Sequence, residues 1–289
     1  MSGIVVTTGV KSGARERELA KAVATELGAP FVPRGGRSLA KVAQLASLSW
    51  RRPAEPGEGE GDDGPRIRGA LVATTQGLNL VDLDDPDSPP LFFHPGMALN
   101  RIRRLLAGGQ DHMVDAMGLA GGMKVLDCTL GMAADAIVAS HVVGPEGQVV
   151  GLEVSPLVAA VVRHGLAEYK VGGAEVNAAM RRISVVNCDC RQYLAAAAPG
   201  SFDVVYFDPM FRRPVEASPG IAGLRRWACH APIDEETFNM ALRAASSAVV
   251  LKTRRYARPP AWREPDRVAG GASSTVKYLV WRTGPQDAQ

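Results

Sequence analysis

Cysteine is scarce in this chain, with four residues in 289. That is too few for a disulfide scaffold and fits a reducing, cytoplasmic setting. Long apolar runs are missing too. None approaches the ~18 residues that a bilayer-spanning helix needs, so no membrane partner is expected. The opening stretch Met1–Gly9 has no basic segment leading into an apolar one, and no secretory signal is expected. No second cysteine pair or histidine cluster accompanies Cys188-Asp189-Cys190, so no metal is expected there and the pair reads as a strand end. Cys229-His230 lacks an orienting acid and does not read as a nucleophilic pair.

What is present is ordinary for a soluble chain, with 46% hydrophobic and 22% charged residues. At roughly 100–200 residues per domain, the length implies one or two domains. The net charge is only +3, but it is unevenly placed: residues 1–52 carry nine Lys/Arg against three Glu, and residues 53–100 carry two Arg against nine acids. Residues 201–289 carry thirteen Lys/Arg against nine acids, so basic ends flank an acidic insert and hint at a polyanionic partner.

Hydropathy patterning separates two regions. Residues 1–92 read as a small α/β domain. It has a β-branched strand near Ile4–Thr8, a helix with Leu19, Ala22, Val23 and Leu27 on one face, and a short strand at Phe31-Val32. A helix over Ser38–Trp50, a hairpin from 67–74 and 78–83, and a strand at Leu91–Phe93 follow. The acidic, low-complexity run 53–66 reads as a flexible loop. Gly9-Val10-Lys11-Ser12-Gly13 is not a phosphate-binding loop, because Val5 and Val10 occupy positions where that motif needs glycine.

Residues 93–289 read as a second domain, an α/β fold with a parallel sheet. Helices are expected at Met97–Leu106 and Gln110–Met117. Apolar strands follow at 124–126, 149–152, 183–186, 204–207 and 248–251, with helices between them that include Pro156–Tyr169, Arg191–Ala198 and Asp234–Ser247. Runs at 267–269 and 276–281 predict an antiparallel C-terminal hairpin.

In such sheets ligands bind beyond the carboxyl ends of the strands. Four successive strands end in acids: Asp127, Glu153, Asp189 and Asp208. Glu153 has the position of a carboxylate that accepts both ribose hydroxyls of a nucleotide cofactor. The first loop, Asp127-Cys128-Thr129-Leu130-Gly131-Met132-Ala133-Ala134-Asp135, lacks the Gly-x-Gly-x-x-Gly turn that pyrophosphate needs. Acids on both sides of it suit the cationic groups of S-adenosyl-L-methionine (AdoMet) better than a dinucleotide. The fourth strand runs into Asp208-Pro209-Met210-Phe211, which resembles the Asp/Asn-Pro-Pro-Tyr/Phe motif of amino-methyltransferases. There Asp208 and the Pro209 carbonyl can accept the two hydrogens of an exocyclic amine, and Phe211 can stack on its base. Arg212, Arg213, Arg225, Arg226, Lys252, Arg254, Arg255 and Arg258 are expected on that same face, suited to RNA phosphates. Trp227 is expected to pack in a core or lid, with RNA stacking as the alternative.

The Asp127–Ala136 run, Val205–Phe211, Val250-Leu251-Lys252 with Tyr256-Ala257 and Pro259-Pro260, and the lead-in Phe93–Leu119 together resemble a known family. This is the bacterial small-subunit (16S) ribosomal RNA guanine-N2 methyltransferases, within the class I AdoMet-dependent superfamily. Ala133 and Arg212-Arg213 depart from that family's pattern. The resemblance implies a Rossmann-like sheet and an AdoMet site lined by Ala134, Asp135, Glu153, Val154, Asp189, Cys190 and Asp208. Asp127, Thr129 and Gly131 lie along the same loop. The expected catalytic set is Asp208, Pro209, Met210, Phe211 and Lys252, the last as a phosphate or substrate contact. The implied activity is methyl transfer to guanine N2 in ribosomal RNA or the small ribosomal subunit. A methyltransferase acting on protein or a small molecule, a non-catalytic RNA-binding module and an NAD oxidoreductase stand as alternatives.

Overall fold

The structure is a computed structural model, and it describes residues 3–49, 66–170, 173–209, 224, 226–227, 232–271 and 274–283. The chain divides into two compact units, the first holding the residues up to Phe93 together with Arg226, the second starting at His94. Among the described residues no helix is long and apolar enough to cross a membrane.

The first unit carries β1 (Ile4–Thr8), α1 (Ala14–Leu27), α2 (Leu39–Ser49), β2 (Gly69–Thr74), β3 (Gly77–Asp82) and β4 (Leu91–Phe92). The sheet order is β1-β2-β3-β4, with β1 parallel to β2 and the remaining pairs antiparallel. All of β1 is buried, as its β-branched run requires. Gly13 N–H donates to the Glu16 carboxylate at 2.6 Å to start α1, and Gly28 closes it in the left-handed region at φ 58°. The buried face of α1 is Ala20, Val23, Ala24 and Leu27; Ala22, expected on it, is exposed. Phe31 makes a single bridge to Val6 rather than a strand. Apart from Arg66, the acidic run 53–66 lies outside the described residues.

The second unit carries α3 (Met97–Leu106), α4 (His112–Met117), β5 (Lys124–Asp127), α5 (Ala134–Val143), β6 (Gln148–Leu152), α6 (Pro156–Glu168) and α7 (Ala174–Arg181). It continues with β7 (Ile183–Val186), α8 (Cys190–Ala196), β8 (Phe202–Phe207), α9 (Glu235–Ala244), β9 (Ala245–Arg254), β10 (Arg267–Ala269) and β11 (Val276–Arg282). The strand order is β10-β11-β9-β8-β5-β6-β7. The five strands from β9 to β7 run parallel, and β11 is antiparallel to both β9 and β10. This is the mostly parallel, Rossmann-like sheet with an antiparallel hairpin that the apolar runs predict. The hairpin lies at one edge of the sheet, with β10 outermost and β11 against β9.

Strand order reverses beside β5: the chain moves through β6 to β7 on one side, then returns to β8 on the other. The ligand crevice of such a sheet opens at that switch. The core beneath it joins Leu126, Val150, Val205, Phe207 and Val249 to Phe238 and Trp281, whose rings meet edge to face at 4.7 Å. Helix α5 is buried on nearly every side, between α3 and α7, so Ala, Ile and Val cover its faces and its polar Asp135 and Ser140 are both hydrogen-bonded inside. The helix expected over Asp234–Ser247 stops at Ala244. Ala245 already pairs with Phe202, and the Ser247 carbonyl accepts from Thr283 N–H, so sheet pairing overrides the helical pattern there.

Candidate active site

The loop between β5 and α5 is built from both ends. Leu130 is buried against Gly151 of β6, where a Cβ would sit 2.4 Å from Leu130 Cδ1, so only glycine admits this close approach. Backbone bonds from Cys128 N–H to the Tyr206 carbonyl and from Leu130 N–H to the Leu152 carbonyl, both 2.9 Å, seat the loop across β8 and β6. The turn then needs two left-handed residues, Gly131 at φ 49° and Ala133 at φ 63°, the latter the one non-glycine with positive φ among the described residues. Ala133 thus adopts a glycine-like conformation.

The strand-end acids divide into two environments. Glu153 is buried; Oε1 accepts from Ser155 N–H at 2.8 Å and Oε2 from Gly131 N–H at 3.2 Å. Burial raises its pKa, with both N–H bonds opposing the shift. Each oxygen retains a second lone pair, so the carboxylate can still accept from a diol. Val154, next in sequence, presents its side chain at 40% exposure beside it. Asp189 caps α8, accepting from Arg191 N–H at 2.8 Å, and stays exposed. Burial, with the neighbouring Asp189 charge, pushes the Cys190 thiol up to about 11, so at neutral pH it is no thiolate.

The other environment is a ladder of alternating charge. Arg101, from α3, takes Asp111 with two bonds, at 2.7 and 2.9 Å, and also pairs with Asp135. Asp111 in turn caps α4 through the N–H groups of Met113 and Val114. Asp135 accepts from the Tyr206 hydroxyl at 2.7 Å and from Lys252 Nζ at 2.9 Å. Lys252 also donates to Asp208 at 2.8 Å. The Asp208 main-chain N–H donates to Thr129 Oγ1 at 2.5 Å, tying the end of β8 to the β5 loop. Although burial opposes it, Lys252 and Arg101 hold Asp135 well below the ordinary carboxylate range. Burial pushes Asp208 up to about 6, with Lys252 pulling down and Asp135 pushing up, so it is mostly ionised at neutral pH.

Asp127 differs. It is 3% exposed and accepts from Thr129 N–H at 3.0 Å. Burial, augmented by the Asp135 and Asp208 charges, pushes its carboxyl up to about 8. The electrostatic expectation for this loop therefore needs correcting. Of its two flanking acids, one is neutral at pH 7 and the other is compensated by two cations. Counting Asp111, Asp135 and Asp208 against Arg101 and Lys252 leaves one net negative charge, which still favours a cationic ligand over pyrophosphate.

Other expectations change as well. Two of the three Lys252 ammonium hydrogens go to Asp135 and Asp208, so within the protein its partners are carboxylates. Arg226 pairs with Asp82 and Asp84 inside the first unit, which removes it from the proposed phosphate-binding set. Pro209 and the partly buried Trp227 are described, whereas Met210, Phe211, Arg212, Arg213, Arg225, Cys229 and His230 lie outside the described residues. The sequence reading missed Arg101, Asp111 and Tyr206. Arg101 alone of the three α3 arginines is in phase with Ala98 and Ile102, and an arginine on a buried stripe requires a carboxylate. Tyr206 shares a strand face with Asp208.

Residues 64–275 match the model of the family described as "Putative SAM-dependent methyltransferase". The chain is 38% identical over 248 residues to the uncharacterised YpiP of Bacillus subtilis, covering 86% of this chain and 88% of that protein. It is 32% identical over 222 residues to ribosomal RNA small subunit methyltransferase J of Ectopseudomonas mendocina, covering 73% and 82%. The SAM-dependent methyltransferase NGO1261 of Neisseria gonorrhoeae has a similar fold, with TM-score 0.59 at 17% identity over 98% of this chain and 97% of that one.

Proposed function

The chain belongs to the SAM-dependent methyltransferase family, and from that premise we propose that it methylates the exocyclic N2 amine of a guanine in small-subunit ribosomal RNA. One observation carries the reading: Asp208, held by Lys252, stands at the end of β8 with its N–H tied to Thr129 of the β5 loop, where an acceptor would meet the cofactor. The family implies AdoMet, and the residues fit it. Glu153, fixed by two N–H groups yet with lone pairs to spare, would take the ribose hydroxyls. Val154 offers apolar surface and Asp189 a polar edge to an adenine. The net negative ladder suits a sulfonium.

Bound AdoMet supplies an electrophilic methyl group. The protein's part is to aim the amine. A guanine N2 is a weak nucleophile because its lone pair is delocalised into the ring. The Asp208 carboxylate and Pro209 carbonyl accept its two hydrogens and turn the lone pair toward the methyl. Lys252 keeps the Asp208 carboxylate in one orientation without removing its charge, and Phe211 stacks the base. With the methyl supplied by AdoMet, which would leave as the neutral thioether, the methylated nitrogen would pass its extra proton to the Asp208 carboxylate or to water, so no stronger base is needed. Most of the acceleration comes from positioning. Relatives named as small subunit ribosomal RNA methyltransferases support the RNA acceptor.

The test offers labelled AdoMet with small-subunit RNA, intact small subunits and a protein extract in parallel, the RNA and subunits taken from cells lacking this protein. Label recovered as N2-methylguanine, and lost in Asp208→Ala, is the expected result. Label in protein or small molecules would overturn the acceptor while leaving the family intact.

A further inference from the structure

At the carboxyl edge of the sheet, just past the site, the chain makes a tight turn. Ala257 N–H donates to the Arg254 carbonyl at 3.0 Å, closing residues 254–257 immediately after β9. Tyr256 stands in this turn at 90% exposure, the most exposed large hydrophobic side chain among the described residues. The turn beneath it is held firmly. Arg255 N–H donates to the Thr275 carbonyl at 3.0 Å, and the Arg255 guanidinium donates to the carbonyls of Gly271 and Ser274 at 3.0 and 3.5 Å. That guanidinium also lies 5.9 Å from the centre of the Tyr256 ring. Arg258 is exposed two residues on, and Pro259-Pro260 stiffen the exit.

A solvent-facing tyrosine of this kind buries nothing in the fold. It keeps a planar face available, on a backbone already ordered, so little further entropy is lost when another ring stacks on it. Its position matters more. Lys252, which grips Asp208, precedes it by four residues, so the two Cα atoms are at most about 13 Å apart at ~3.3 Å per strand residue. Successive stacked nucleotides advance about 3.4 Å along a strand. Tyr256 is therefore within reach of a nucleotide a few positions from one presented to Asp208. Stacking on an aromatic face requires an unpaired base, and an adjacent guanidinium suits the attached phosphate.

Resting on the methyltransferase reading above, we infer that Tyr256 is a stacking platform for an unpaired nucleotide flanking the target guanine, so that the substrate is a single-stranded or looped RNA segment. The tyrosine hydroxyl has no part in this; the ring does. Tyr256→Ala should raise KM for RNA roughly five- to hundredfold, the usual cost of one lost base stack, while kcat and AdoMet affinity change less than about twofold. Tyr256→Phe should restore the wild-type KM. A guanine-containing oligoribonucleotide should bind the wild-type protein more tightly alone than annealed to its complement, and Tyr256→Ala should erase the preference. Because the side chain is exposed, the variants should fold like the wild type. Methylated RNA with identical KM for wild type and Tyr256→Ala would overturn the stacking role alone. Tighter binding of the duplex would do the same. Failure of the wild type to label RNA at all, with label in protein instead, would overturn the RNA reading and this inference with it.

Discussion

Replacing Asp127 with asparagine should stabilise the protein, and by an amount that depends on pH in a defined way. In the unfolded chain this carboxyl titrates near 4. In the folded protein burial moves it to about 8. The folded state thus binds the proton more tightly than the unfolded state, and between those two values the wild type loses stability as pH rises. The slope is about 1.4 kcal/mol per pH unit, because one pKa unit corresponds to that much free energy. The accumulated cost is near zero at pH 4, about 4 kcal/mol at pH 7, and level above pH 8. Asparagine has no charge to desolvate, and its carbonyl oxygen can still accept from Thr129 N–H, at the cost of placing one extra amide hydrogen, about 1 kcal/mol. Urea unfolding of both proteins at pH 5, 6, 7 and 8 isolates the effect, since all other titrating groups are shared. The unfolding free-energy difference should widen steadily with pH in favour of the variant, reaching about 3 kcal/mol at pH 7. A difference that stays flat with pH, or a variant that becomes the weaker protein at pH 8, would refute the reasoning.

Further consequences can be measured alongside it. Asp208→Asn should lower kcat for methyl transfer by roughly a hundredfold or more while AdoMet affinity, read by calorimetry, changes only a few-fold. In the wild type the ionised Asp208 is the active form, so kcat/KM should fall with unit slope below about pH 6 and be level above it, as a pH–rate profile would show. Arg101→Met should destabilise by about 3 kcal/mol in urea unfolding, because it removes the ion pair on Asp111 and one of the two cations on Asp135, with Arg101→Lys recovering a part. Ala133→Gly should change stability by less than about 1 kcal/mol, since relief at φ 63° offsets the loss of one buried methyl group. Ala133→Val should cost more than 2 kcal/mol by the same thermal or urea assay, adding β-branching and bulk to a fully enclosed left-handed position.

Much of the second unit was legible because parallel strands buried on both faces write themselves as continuous apolar runs, and Val149–Leu152 or Val204–Phe207 admit no other reading. The acids at those strand ends were legible for the complementary reason, since a charge that stops an apolar run marks the strand's mouth. What escaped were interactions that depend on distance through space. Helix α7 was missed because it is only eight residues long; its stripe is just Val176, Ala179 and Met180, and α5 packs across it. The start of β9 was misplaced because Ala-Ser-Ser is neutral between helix and strand until Phe202 pairs with it. Lys252 read as an outward basic residue because sequence spacing does not reveal that Asp135, 117 residues away, is its partner. Arg101 carried a usable signal in its helical phase, but its two carboxylates come from elements that only the fold brings together.

The ladder from Asp111 to Asp208 also governs how this sequence can drift over generations. Its five rungs alternate in sign, so a substitution at any interior rung leaves an odd charge facing its neighbours. Arg101 answers to Asp111 and Asp135, and Lys252 answers to Asp135 again and to Asp208. Neutral change at one rung therefore has to await a matching change at the next, and such double steps are rare. Surface arginines such as Arg103 and Arg104, one turn of helix away, face no such constraint. Lineages descending from this protein should accordingly vary in those exposed positions while the five rungs change together or not at all, a pattern of linked substitution that would trace the interior wiring of the fold through sequences alone.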